Sequence, residues 1–216
     1  MEWEENTLIN VFSVTKGITA ICVSKLIDEG KLDYNQKVSY YWPEYGCNGK
    51  EDTIDSDYLC HRAGMFGFQN GMPKGSWQNW QNFVNHLEAQ TPYSPPGTSQ
   101  GYHALTYGWL VGELFRRVDG RTVGEYFQEE IAIPHDIDFH IGLQKEDFSR
   151  CADMVMLDFI QNIEQVTFVK MLALHDQHTT FPASRLSPKQ IEQFAFNFGA
   201  SNEANMRTCI EIASRR

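Results

Sequence analysis

Glycine and proline cut this chain into pieces of helix length and leave little uninterrupted sequence for a large sheet. Between Ser13 and Glu29, Ile18, Ile21, Cys22 and Leu26 recur at helical spacing, and Gly30 follows where a helix commonly stops. The run predicts a helix of about four turns. Trp77, Trp80, Phe83, Val84 and Leu87 predict a second helix from Ser76 to Ala89, which the Pro92 to Gly101 stretch ends. From His103 to Val118, Leu110, Leu114 and Val118 keep a four-residue step. Arg116 and Arg117 sit where the helix dipole favours cations, and Gly120 closes the run. Thr122 and Glu125 make a capping box for a helix to Ile131, with Pro134 just past its end.

The intervals are less regular. Lys31 to Asp57, rich in Tyr, Asn, Gly and Asp around Trp42-Pro43, reads as extended chain and turns. A short helix is expected from Ser56 to His61, then an irregular loop through Gly64, Gly67, Gly71 and Gly75. Phe148 to Leu174 fits strand or helix equally. Ser187, Pro188 and Gln190 open a later helix that Gly199 ends, and Met206, Cys209, Ile210 and Ala213 suggest one more. No repeat of about 20 to 50 residues runs through the chain. The 216 residues, with no linker-like tract, are expected to form one domain, 1–216.

Composition narrows the partners. A formal charge of −10 would repel a phosphate backbone, and no basic stripe offsets it, so nucleic acid is not expected. Five scattered cysteines, Cys22, Cys47, Cys60, Cys151 and Cys209, show no C-x-x-C pair, and reduced thiols are expected. No zinc-ligand spacing occurs, and no metal or organic cofactor is expected. No run approaches the roughly 18 apolar residues of a membrane span, and the first residues lack a secretory pattern. As given, the chain is expected to be soluble and cytoplasmic; the sequence does not speak to oligomeric state.

The chemistry centres on Ser13-Val14-Thr15-Lys16, the only S-x-x-K in the chain. Ser13 and Lys16, three residues apart in a helical first turn, share a face. The helix amino terminus favours negative charge developing on the serine oxygen. The tetrad alone arises by chance about once in a chain this long. Its neighbours raise it further.

Residues 6 to 17, Asn-Thr-Leu-Ile-Asn-Val-Phe-Ser-Val-Thr-Lys-Gly, resemble the nucleophile segment of serine β-lactamase-related hydrolases, particularly class C β-lactamases and family VIII carboxylesterases. Gly30-Lys31-Leu32-Asp33, Tyr41-Trp42-Pro43-Glu44 and Leu59-Cys60-His61-Arg62-Ala63-Gly64 resemble the segments that follow it there. Pro96-Gly97-Thr98 and Gly101-Tyr102-His103-Ala104-Leu105-Thr106-Tyr107-Gly108 resemble the second catalytic segment, in order and spacing. The similarity covers residues 6 to 143 well and the remainder faintly.

The resemblance implies an α+β, β-lactamase/transpeptidase-like fold, mostly its helical domain with an incomplete antiparallel-sheet domain. It implies Ser13 as nucleophile, Lys16 as the group that takes its proton, and Tyr102 as the phenol that shares that proton and hands it to the leaving group. An amine and a phenol held together can move one proton without a histidine. His103 and Ala104 are expected beside a small-molecule ester or amide substrate.

Two departures qualify this. β-Lactamases usually carry Asn where this chain has Ala104, which favours esters over antibiotics as substrates. The third motif, Lys/His-x-Gly on a strand that supplies half of the oxyanion hole, has no match. The chain is therefore expected to begin after the family's first strands and end before its last. That keeps two alternatives in play: an inactive fragment or degenerate homologue serving as an interaction module, and a non-catalytic binder of acyl or peptidoglycan-like ligands. A Ser-His triad through His61, His103 or His140 is the weaker reading of the histidines, which are more often structural. Trp77 and Trp80 are expected in the core, and Glu113, Glu129 and Glu130 on solvated helix faces.

Overall fold

The computed structural model describes residues 3–69 and 79–152. Among them it contains α1 (Val14–Asp28), α2 (Val38–Tyr41), α3 (Asp55–Leu59), α4 (Trp80–Ala89), α5 (Thr106–Asp119) and α6 (Val123–Phe127). A 3-10 turn lies at Pro43–Tyr45, a π turn at Gln128–Ala132 and another 3-10 turn at Lys145–Arg150. No strand occurs among the described residues, only isolated bridges between Leu8 and Cys151 and between Lys37 and Ile54. Trp77, Cys209, the interval after Ala152 and the helices expected after Ser187 and around Met206 lie outside the described residues.

α5 is the hub, packing against α1, α2, α3, α4 and α6. Tyr107, Leu110, Val111, Leu114 and Phe115 are all buried along it. Trp42, Tyr45 and Tyr58 fill one side of the core. On another, the Phe83 and Trp109 rings stack at 4.2 Å and Trp80 packs against the cluster. Gly120 ends α5 in the left-handed conformation, φ 89°. The Thr122–Glu125 capping box forms in both directions, at 3.2 and 2.7 Å, and opens α6.

Several elements depart from the sequence expectations. The interval read as turns contains α2 and the Pro43–Tyr45 turn, elements too short to display a helical period, yet they bury Val38 and Tyr45. In α1 the buried residues are Thr19, Cys22, Val23 and Leu26, while Ile21 is 55% exposed. Apolar residues at 18, 21, 22, 23, 26 and 27 wrap most of the circumference, so spacing alone does not single out a face. α5 starts at Thr106 rather than His103, after a segment in which Gly101 N–H donates to the His61 carbonyl and Ala104 N–H to that of Tyr102.

Glu113, expected on a solvated face, is fully buried. Its carboxylate accepts from the Trp80 indole at 2.8 Å, from Arg116 and from Arg117. Burial of a carboxylate is tolerated where cations and donors surround it, which a single helical sequence does not disclose. Glu129 and Glu130 remain on the outside, paired with Arg121.

Gly64 shows how closely the chain folds on itself. It adopts φ +69°, and a Cβ there would stand 2.2 Å from the Ser94 carbonyl oxygen. Neither the angle nor the space admits another residue. The loop around Gly64 is thereby pressed against the Pro92 to Gly101 stretch, where Tyr93 N–H donates to its carbonyl.

Asp55, at the start of α3, is 2% exposed and pairs with no cation among the described residues. Burial, and secondarily the charge of Asp33, push its carboxyl up from the ordinary 3.8 to about 7. The folded state therefore binds a proton that the unfolded state has released between those values. This group's contribution to stability is full below about pH 4 and is lost as pH rises through about 7. Asp55→Asn should flatten the fall in Tm between pH 5 and 8, as read by thermal melts across that range. An unchanged slope would contradict the assignment.

Candidate active site

Ser13 occupies the N-cap of α1, where a serine hydroxyl ordinarily accepts a backbone N–H of the first turn. Here the side chain caps nothing. Its Oγ accepts from the Tyr102 hydroxyl at 2.7 Å and lies 3.4 Å from Lys16 Nζ. The hydroxyl has thus left its local structural role for two partners, one of them 89 residues away.

The turn before it is strained. Phe12 has φ +46°, a left-handed conformation that bulky residues rarely adopt, and its N–H is held by Asn10 Oδ1 at 2.7 Å. Upstream, Leu8 N–H donates to the Arg150 carbonyl, and Ala152 N–H donates to that of Leu8, anchoring the segment that enters the turn. The result is an exposed serine at the head of a helix packed against α5.

Lys16, one turn along α1, is fixed from several directions. Its Nζ donates to the Ala104 carbonyl at 2.9 Å. It lies 5.3 Å from the Tyr102 ring centroid and 5.5 Å from that of Tyr107, both within cation–π range. The Tyr107 hydroxyl in turn donates to the Lys16 carbonyl at 3.3 Å. Helix α1 presents serine and lysine on one face, and the loop entering α5 supplies the phenol and the carbonyl that meet them.

His103 and Ala104, expected beside substrate, stand differently. Ala104 touches the site through its backbone carbonyl. The His103 side chain is fully buried, and its Nε2 accepts the Met65 N–H at 3.1 Å. Burial, with smaller contributions from His61 and Lys16, pushes it down to about 3, so the ring stays neutral. Thr106 Oγ1 donates to the Met65 carbonyl at 2.6 Å, which ties the 63–66 loop to the start of α5.

No histidine hydrogen-bonds Ser13 among the described residues. His140 pairs instead with Asp138 at 2.9 Å. Tyr107, which the sequence offers only inside a matched segment, and His61, which it offers as a weaker candidate for a triad, both line this site. Tyr107 signals itself only by standing five residues after Tyr102. His61 carries no local signal of the contacts its carbonyl and ring nitrogen make.

A family model described as Beta-lactamase matches residues 1–168. The chain belongs to the Beta-lactamase family. Esterase/beta-lactamase LipL of Mycobacterium tuberculosis is 37% identical to this family member over 161 residues, which are 71% of this chain and 36% of LipL. Among solved structures, a penicillin-binding protein homolog from Caulobacter crescentus matches at 39% identity and TM-score 0.70, over 72% of this chain and 42% of that one. A family VIII carboxylesterase matches at 39% identity and TM-score 0.68, over 71% of this chain and 42% of its own. The chain spans less than half the length of each of these relatives.

These likenesses give the Beta-lactamase-family chain a β-lactamase/transpeptidase-like fold. The described residues are mostly helical, and the expected antiparallel sheet has no counterpart among them.

Proposed function

We propose that this chain carries the nucleophilic centre of a serine hydrolase acting on small esters or related acyl compounds. The observation that supports it most is the Ser13 hydroxyl leaving its cap position to sit between the Lys16 amine and the Tyr102 phenol. In acylation, Ser13 Oγ attacks the substrate carbonyl while its proton passes to Lys16 Nζ. The C–O bond to the leaving alcohol breaks, and Tyr102 donates a proton to that alcohol, recovering one from Lys16. Water then attacks the acyl-enzyme by the same relay in reverse.

The local structure favours each role. Ser13 stands at the amino end of α1, where the helix dipole favours the developing oxyanion. Among the described residues no acceptor takes its backbone N–H, which leaves that donor available to the oxyanion. Ala104 offers no side-chain amide to a β-lactam's acyl-amide group, which favours simple esters. One relative is named an esterase/beta-lactamase and another a family VIII carboxylesterase, which agrees with that substrate class.

A fluorophosphonate probe tests this directly, since it phosphonylates only an activated serine. Wild-type protein should take up the label, Ser13→Ala should take up none, and Lys16→Ala should lose at least 10²-fold in labelling rate while staying folded. Absence of labelling in folded wild-type protein would favour the interaction-module alternative.

A further inference from the structure

We infer that His61 is a positioning residue that holds the Tyr102 phenol against Ser13 by gripping the backbone on both sides of it. The inference rests on the hydrolase reading for its purpose but on separate contacts for its content. The His61 carbonyl accepts the Gly101 N–H at 3.0 Å, and His61 Nδ1 accepts the His103 N–H at 3.2 Å. The two residues that flank Tyr102 are therefore suspended from one histidine.

That double grip needs an unusual backbone. His61 has φ +59°, a conformation few non-glycine residues adopt but which histidine, asparagine and aspartate tolerate best. The carbonyl and the imidazole of His61 serve the same three-residue segment in that conformation. Such strain persists where surrounding contacts impose it. The ring is enclosed by Tyr102 edge-on at 4.8 Å, His103 stacked at 5.4 Å and Tyr107 tilted at 5.3 Å.

For Nδ1 to accept, the imidazole must be neutral with its proton on Nε2. Burial, and secondarily the Lys16 charge, push His61 down to about 4, so the acceptor persists through the neutral range. The grip falls on the non-helical segment just before α5, which begins at Thr106, and from that segment the Tyr102 hydroxyl reaches Ser13 at the head of α1.

The test separates acceptor from ring. His61→Phe keeps a flat ring and removes the acceptor; His61→Asn removes the ring but keeps an acceptor oxygen close to the position of Nδ1 and tolerates the same φ. Two readouts are taken: the fluorophosphonate labelling rate of Ser13, and hydrogen exchange at the His103 amide. His61→Phe should slow labelling at least tenfold and speed that exchange by about tenfold, the worth of one hydrogen bond. His61→Asn should recover most of both. His61→Ala replaces the Phe variant if the latter does not fold.

Equal labelling and exchange in His61→Phe and wild type, or failure of His61→Asn to outperform it, would overturn the inference. If wild-type protein takes no label, the hydrolase reading fails, and the exchange comparison alone still decides whether His61 holds this segment.

Discussion

Tyr102→Phe should slow acylation of Ser13 by about 10² to 10⁴-fold, the range general acid–base groups contribute, with little change in Tm. The substitution is clean because the ring keeps its neighbours. The edge contact with His61 and the face offered to Lys16 Nζ survive, and only the oxygen 2.7 Å from Ser13 Oγ is lost. Tyr102 is 44% exposed, so its hydroxyl carries little of the core's stability.

The leaving group sharpens the expectation. A nitrophenolate departs without a proton, whereas an alkoxide needs one, so the loss should be greater for an alkyl ester than for its p-nitrophenyl counterpart. Matched kcat/KM values on such a pair measure it. A loss below tenfold on the alkyl ester would remove Tyr102 from proton transfer and leave Lys16 as the sole relay.

Only one half of the candidate site is a local signal: Ser13 and Lys16 lie one helical turn apart, in a tetrad common enough to arise by chance, while Tyr102 entered only through the resemblance of its segment. Their meeting across 89 residues came only from resemblance, since no periodicity in one chain reports a contact at that range. His61 shows the limit. Its function lies in a backbone conformation and a ring nitrogen facing a distant amide, and neither is written in local composition.

The fold followed the same rule. The capping box at Thr122 and Glu125 and the stop at Gly120 are contained within a few residues, and the structure forms both. The face of α1 that enters the core was not readable, because apolar residues surround the helix and only the position of α5 selects among them.

Glu113 is where tertiary context most fully reverses a sequence reading, and the sharpest stability effect should follow. Glu113→Ala should cost about 3 to 5 kcal/mol, the usual result of removing one partner from a buried charge cluster. With roughly 2 to 4 °C per kcal/mol for a chain of this size, Tm should fall by about 6 to 20 °C. The loss has two parts. The Trp80 indole N–H, which donates to Glu113 at 2.8 Å, would be left without its acceptor in the core. Arg116 and Arg117 would lose the carboxylate that holds them, at 2.9 and 2.8 Å. Glu113→Gln divides these parts, because an amide oxygen still accepts from the indole while the charge is gone. Arg116 reaches solvent, with 45% of its side chain exposed, and Arg117 keeps Glu44 and Glu88. The charge should therefore matter less than the acceptor, and Glu113→Gln should retain more than half of the lost stability in thermal melts. If Glu113→Gln melts as low as Glu113→Ala, the ion pairs with Arg116 and Arg117 within α5, rather than the indole hydrogen bond to α4, carry the stability.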